Sequence, residues 1–269
     1  MTTIHKIGFL GAGNMNSAII GGLVNSGYEP TSIIAADLNT DKLDALHDSY
    51  NIAITSDNRR LADEADIVII GVKPNHVADV CQEIAPLSEN ALIISIAAGV
   101  PLVQLESYFS DEQAIIRVMP NTPCLITEGA TGLCANQYTS DEQLSVANEL
   151  FKTTGAVEVI ADEEQMDLVT ALSGSGPAYF FYIAEAMLAE ALAQGMSEGQ
   201  AQNLIFNTMS GAASMLKQSE LSAQQLRRNV TSPGGTTAAA LAELEERQVA
   251  QSFREAIKAA VRRGKELAE

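Results

Sequence analysis

Basic residues are scarce in this chain of 269 residues: 16 lysines and arginines face 34 aspartates and glutamates, a net charge of −18. Nucleic-acid binding releases counterions only where cations cluster, so nucleic acid is not an expected partner. An anionic substrate is not excluded, but it needs local positive groups or helix ends to offset the overall field. Cysteine is almost as rare: Cys81, Cys124 and Cys134 show no metal-ligand spacing and make no disulfide framework, which fits a reducing compartment. No metal site is expected. Long hydrophobic runs are missing too; Gly, Pro or charge interrupts every apolar stretch before it could cross a bilayer. The first residues enter a strand pattern directly, without the apolar core of a signal peptide, so a cytoplasmic location is expected and a membrane partner is not.

What is present is a division into two halves. Short β-branched runs at 6–10, 32–36, 67–72, 92–97, 114–119 and 157–160 alternate with helical patterns at 15–25, 40–49, 76–85, 102–109 and 141–151. That alternation predicts βαβ units and a mainly parallel, doubly wound sheet, an α/β domain spanning residues 1–161. After residue 161 the strand signal stops. Ala, Leu, Met and Glu dominate helical stretches at 162–172, 177–193, 198–218, 223–228, 237–245 and 248–269, which predicts an all-α domain over 162–269. So much helix without a sheet, rich in small residues, predicts burial against a second subunit.

Gly8, Gly11 and Gly13 follow the first strand and open the first helix, the Rossmann arrangement. Gly11 permits the tight turn, and Gly13 lets backbone approach a pyrophosphate at a helix N-terminus. The third fingerprint position holds Asn16 instead of Gly or Ala, which predicts looser packing of helix on strand. Asp37 ends the second strand. It either bonds an adenosine ribose 2′-hydroxyl, favouring NAD, or it (or Asn39) caps the next helix. Residues 37–42 offer Asn39, Thr40 and Lys42 to a 2′-phosphate but no arginine. Gly71 to Pro74 and Ala97 to Pro101 end two further strands, where a doubly wound sheet has its ligand crevice. Lys73 there is either a phosphate or ribose contact or a solvated lysine. Asn121 and Thr122, in the turn after Met119, either line a reaction cleft or hold a rigid turn.

The second landmark lies at the other end of the chain. Asn229 to Thr237 reads Asn-Val-Thr-Ser-Pro-Gly-Gly-Thr-Thr, a helix break followed at once by the helix-forming Ala238 to Leu244. A helix start presents unpaired N–H groups and partial positive charge, which suit a carboxylate. The alternative is a bend in which Ser or Thr serves as N-cap and nothing is bound.

Taken together these segments resemble the pyrroline-5-carboxylate reductases of proline biosynthesis. The resemblance runs the full length, through Gly11 to Met15, Val72 to Pro74, Ser95 to Gly99, Met119 to Pro123, Ser173 to Tyr179 and Ser232 to Thr237; the last two are the most specific. It implies reduction of Δ1-pyrroline-5-carboxylate to L-proline, usually with NADPH, by a Rossmann domain joined to a helical domain that dimerises or forms higher multiples of dimers. By position, Leu10, Gly11, Ala12, Gly13, Asn14, Met15, Asn58, Val72, Lys73, Pro74, Ala97, Ala98, Gly99 and Asn229 are implied cofactor contacts. Glu220, Gly234, Gly235, Thr236 and Thr237 are implied substrate contacts. Asp37 departs from the hydroxyls or arginine that many members place around the 2′-phosphate, so NADH stays open beside NADPH.

Hydride transfer to a C=N bond needs neither a metal nor a nucleophilic side chain, only positioning in a shielded site. His5, His47 and His76 sit in no motif and are expected to be structural or solvated. Thr237 is the expected catalytic residue, its hydroxyl meeting the ring nitrogen while the 232–237 turn holds the carboxylate. A β-hydroxyacid dehydrogenase would need a helix-borne lysine as acid/base, and residues 173–193 contain none. A nucleotide sensor without chemistry is the remaining alternative class.

Overall fold

Runs such as Ile7–Leu10, Ile67–Ile70 and Leu92–Ser95 are apolar at nearly every position, the composition of parallel strands covered on both faces. A computed structural model describes residues 5–268 and shows what those runs build. Strands β1 (Ile7–Leu10), β2 (Ile33–Ala36), β3 (Ala53–Thr55), β4 (Ile67–Ile70), β5 (Leu92–Ser95), β6 (Ile115–Met119), β7 (Gly129–Ala135) and β8 (Gly155–Val159) form one sheet in the order β3-β2-β1-β4-β5-β6-β7-β8. Every described pairing is parallel except that of β6 with β7. The order reverses between β1 and β4, so the ligand crevice of such a sheet falls at their C-terminal ends.

Helices cover both faces: α1 (Asn14–Asn25), α2 (Thr40–Tyr50), α3 (Asn58–Glu64), α4 (Val77–Ile84), α5 (Leu102–Glu106), α6 (Asp141–Lys152) and α7 (Met166–Val169). Alternate strand residues serve opposite cores. Ile7, Phe9 and Ile69 join Ile19, Ile20, Leu23 and Phe151 on one side, while Leu10, Val68 and Ile70 join Leu61, Ile84 and Leu105 on the other. Local signals set the helix starts: Asn39 accepts from the Lys42 amide, Asp57 from the Arg59 and Arg60 amides, and Ser140 forms a capping box with Gln143. The strands β3 and β7 and helix α3 are additions to the sequence reading.

The chain forms two compact units, one running through Ser175 and including Ala260 to the C-terminus, the other Gly176–Ala259. The strand-forming sequence ends at residue 161, but the helical turns after it belong to the first unit. There Met166 and Ala171 are fully buried, and a π-helical turn spans Thr170–Gly174. Within the same unit the last turns of the C-terminal helix bring Gly264 against Asp167 and Leu267 against Gly99. The second unit holds α8 (Gly176–Ala193), α9 (Glu198–Gln218), α10 (Ala223–Asn229), α11 (Thr236–Glu246) and most of α12 (Val249–Ala268). Helix α8 is apolar apart from Glu185 and Glu190 and leaves Phe180, Phe181 and Tyr182 more than 60 % exposed. Such a surface calls for a covering partner. Among the described residues no helix is long and apolar enough to cross a membrane.

Candidate active site

The glycine turn after β1 is built as the spacing demands. Gly11 has φ +96°, and a Cβ there would lie 3.0 Å from the Gly71 carbonyl oxygen, so glycine is needed for conformation and for space. Gly13 is the N-cap of α1, with no side-chain cap and nothing within 4 Å of where its Cβ would be. The amides of Asn14, Met15 and Asn16 have no i−4 carbonyl within the helix to reach. An open helix start with unclaimed N–H groups at the sheet's switch point fits a pyrophosphate.

Asn16 does not loosen the packing. It is 1 % exposed, and its Nδ2 donates to the carbonyls of Leu10 (3.1 Å) and Gly11 (2.6 Å). Room for it comes from Gly71, where any Cβ would overlap the Asn16 amide. The small residue that close packing requires has moved from α1 to the end of β4.

Asp37 and Asn39 divide the roles that the sequence left open. Asn39 is the N-cap of α2. The Asp37 carboxylate instead accepts from the Ala12 amide (Oδ2, 2.6 Å) and the Asn39 amide (Oδ1, 2.8 Å), which fixes it against the glycine turn. Asn58, first residue of α3, donates to Glu83 (2.9 Å). Strand register aligns Leu10, Ala36, Ile70 and Ser95, so the segments that follow these strands leave one edge of the sheet. Val72 is half-buried, Lys73 and Pro74 are exposed, Ala97 is buried and Ala98 exposed, and Gly99 has φ +76°. The sequence-predicted cofactor residues other than Asn229 therefore all belong to the first unit.

The sequence-predicted substrate residues belong to the second. Ser232–Gly235 is a tight turn closed by the Gly235 amide on the Ser232 carbonyl (3.0 Å), with Pro233 and then Gly234 (φ +70°) at its corners. Those are the residues that a type II turn takes at these positions. The N-cap of α11 is Gly235, without any side-chain cap, so Thr236 and Thr237 are the first two helical residues. Thr237 is thus not the N-cap. Among the described residues its hydroxyl, half-buried, has no hydrogen-bond partner, and the amides of Thr236, Thr237 and Ala238 have no carbonyl to reach. Asn229 ends α10 and accepts from Gln225 (2.8 Å); Glu220 is exposed between α9 and α10.

Asn121 is a brace: buried, it donates to the Ser173 carbonyl (3.1 Å) and accepts from the Ala130 amide (2.9 Å), while Thr122 is exposed. His47 has its Nδ1 2.9 Å from the Ile52 carbonyl, and His76 is exposed. The sequence reading missed a buried ionic cluster. Arg117 on β6 pairs with Glu163 (2.9 Å) and Asp167 (3.7 Å), and Glu163 also accepts from the Leu102 amide (2.7 Å) at the start of α5. One arginine inside the apolar run Ile115–Met119 is the available signal for it. This cluster ties the loop after β5 to the segment leading into Ser173. Burial pushes the Cys134 thiol up to about 11, with Glu163 adding to the rise and Arg117 opposing it. Two concavities hold none of the predicted residues: about 590 Å³ beside Arg227, Leu241, Phe253 and Arg254, and about 450 Å³ beside His5, Asp66 and Glu142.

Comparison with known proteins decides the family. Residues 163–267 match the family model described as pyrroline-5-carboxylate reductase dimerisation, and residues 6–99 match that of NADP oxidoreductases, coenzyme F420-dependent. The chain is 40 % identical over 265 residues to pyrroline-5-carboxylate reductase of Pseudomonas aeruginosa, covering 98 % of this chain and 97 % of that one. The chain belongs to the pyrroline-5-carboxylate reductase family. Among solved structures, the reductase of Coxiella burnetii superposes with a TM-score of 0.95 at 39 % identity, over 99 % of this chain and 100 % of that one. A pyrroline carboxylate reductase of Plasmodium falciparum, solved with NADP bound, gives 0.90 at 32 % identity over 98 % of each. The fold class is that of the family: a parallel α/β NADP-binding sheet followed by a helical dimerisation region. The reaction goes with the membership: this is an NAD(P)H-dependent oxidoreductase acting on pyrroline-5-carboxylate.

Proposed function

We propose that this chain reduces the C=N bond of Δ1-pyrroline-5-carboxylate to L-proline with NADPH, as a cytoplasmic homodimer, with Thr237 as its catalytic residue. One observation carries the residue assignment. Helix α11 opens on Gly235 with no cap of its own, leaving three amides and the Thr237 hydroxyl uncommitted directly after a turn rigidified by Pro233 and Gly234. Three amides and a helix dipole hold a carboxylate without a cation. In this reading the turn at Gly234 and Gly235 brings its backbone beside the carboxylate, which the open amides from Thr236 onward hold; Glu220 borders the ring, and the Thr237 Oγ1 meets the ring nitrogen. The carbon of the C=N bond is thereby oriented for hydride while the nitrogen gains its proton.

The first unit supplies the cofactor's hold. The amides that open α1 take the pyrophosphate; Leu10 to Met15, Asn58, Val72 to Pro74 and Ala97 to Gly99 line it, with Asn229 as a further contact. When bound, the reduced nicotinamide supplies the hydride. The small, partly buried Ala97–Gly99 backbone suits the flat ring, and the cluster around Arg117 and Glu163 steadies that loop. The functional division falls at residues 161 and 162, where the strand-forming sequence ends. The exposed Phe180, Phe181 and Tyr182 of α8 support the homodimer, since exposed apolar surface of that size marks an interaction site. The test is oxidation of NADPH on addition of pyrroline-5-carboxylate, with proline as the product. Tight nucleotide binding without any oxidation would instead favour a sensor.

A further inference from the structure

The end of β2 bears on which form of the cofactor is accepted. Three observations meet there. The Asp37 carboxylate is held by the amides of Ala12 and Asn39, so it cannot swing away from the glycine turn. Asn39, not Asp37, caps α2, so capping does not explain the acidic residue. A carboxylate offers about four acceptor sites, and two amide bonds leave the others for hydroxyl donors. The surroundings meanwhile offer little to a phosphate. Leu38 is 91 % exposed and apolar, and the Lys42 amide already donates to the Asn39 side-chain oxygen. From Ala36 to Leu46 the one cation is Lys42, in the first turn of α2. On the neighbouring α3, Arg60 pairs with Glu64 (3.1 Å), Arg59 points to the Glu83 carbonyl (3.4 Å), and Asn58 is bonded to Glu83.

We propose that Asp37 is the coenzyme-discriminating residue of this chain: it bonds the adenosine ribose through the 2′-hydroxyl and weakens the hold on a 2′-phosphate, so NADH serves as hydride donor beside NADPH. This rests on the reading of the first unit as the cofactor-binding one. The physical basis is a fixed negative charge beside a group that would itself carry about −1.5 to −2, with no arginine to neutralise it. The same carboxylate thus favours one ligand through a hydrogen bond and penalises the other through like charge, which is how specificity is narrowed.

The decisive experiment measures binding of 5′-AMP and 2′,5′-ADP, two fragments that differ only by the 2′-phosphate, alongside kcat/KM with NADH and NADPH. Wild-type protein, Asp37→Ser and Leu38→Arg are compared. Wild type is expected to bind the two fragments within about tenfold of each other, and Asp37→Ser to shift the ratio towards 2′,5′-ADP by about tenfold or more. Leu38→Arg adds a cation at an exposed site without touching the bonds of Asp37, and shifts the ratio the same way. It decides the matter even if Asp37→Ser folds poorly. Ratios that stay unmoved in both variants, or a wild type preferring 2′,5′-ADP by more than about a hundredfold, overturn the assignment. A chain that binds neither fragment overturns the cofactor reading with it, whereas binding of both at an unshifted ratio sinks Asp37 alone.

Discussion

The contact between Asn16 and Gly71 makes a quantitative prediction. The three atoms nearest a Cβ built on Gly71 all belong to the Asn16 side chain, and Gly71 lies outside the left-handed region of backbone space. Gly71→Ala therefore meets one obstacle, an overpacked side chain, at a cost of about 1–3 kcal/mol. Asn16→Ala alone loses two hydrogen bonds, about 1 kcal/mol each. That loss is offset because the Asn16 Oδ1 is buried without a partner, and removing it recovers about 1 kcal/mol of desolvation. The net cost of Asn16→Ala is then about 1 kcal/mol. In the double variant the obstacle is gone. Its destabilisation should match that of Asn16→Ala, giving a coupling of about 1–3 kcal/mol in a double-mutant cycle. Urea unfolding of the four proteins measures this, with unchanged m-values as the check on the denatured state. Strict additivity, within about 0.5 kcal/mol, would refute the claim that the glycine of the fingerprint has moved to β4.

Three further outcomes are expected. Thr237→Ala should lower kcat by about 10²–10³-fold while Tm and NADPH affinity hold, because the hydroxyl has no structural partner; Thr237→Ser should restore most of it, and wild-type turnover in Thr237→Ala removes the proposed role. Gly235→Asp should cap α11 with its own carboxylate, a gain set against crowding of the Ser232 carbonyl 3.2 Å from the new Cβ, while KM for pyrroline-5-carboxylate rises at least about tenfold; an unchanged KM in the folded variant rejects the carboxylate site. Burial pushes the Cys81 thiol up to about 12 and contributes most of the rise of Cys134 to about 11. Both thiols stay protonated in the fold, so their contribution is complete below the unfolded thiol pKa and is lost as pH climbs through these values. Stability measured by urea titration should thus fall from about pH 9 upward, and less steeply in Cys81→Ala.

How much of this was legible in the sequence depended on what each residue has to satisfy. Buried parallel strands need apolar residues on both faces, so Ile67–Ile70 and Leu92–Ser95 stand out. Strand β7, Gly-Ala-Thr-Gly-Leu-Cys-Ala, does not, because its glycines answer to packing instead of strand propensity. A Cβ on Gly129 would run into Cys124 and the Thr154 carbonyl, and one on Gly132 would lie 2.7 Å from Val169. Strand β3 is a half-exposed edge of three residues, too short to show a period. Residues 162–172 read as ordinary helix, yet their packing in the first unit and the π-helical turn over Thr170–Gly174 depend on neighbours far away in sequence. The candidate site was legible at the level of motifs. Which of Asp37 and Asn39 caps α2, and whether Thr237 caps α11, turned on single hydrogen bonds that no spacing encodes.

A chain of charge −18 has to bind two anions, a dinucleotide and a carboxylate, and its helix starts are sorted accordingly. Helices α2, α3, α6 and α10 satisfy their own first turns with Asn39, Asp57, Ser140 and Ser222. Helices α4 and α9 lack a side-chain cap but carry Asp79 and Glu198 in the first turn, which repel an incoming anion. The start of α5 is taken by Glu163. Helices α1 and α11 each have a glycine N-cap, no side-chain cap and no acidic residue in the first turn. On the proposed reading, a protein with few cations keeps its anion sites in backbone amides, which salt screens less than lysines on the surface because the donors are fixed and partly enclosed. Glycine at both N-caps costs each helix a few tenths of a kcal/mol relative to serine or aspartate, and that small loss of stability is what leaves the amides open to a ligand.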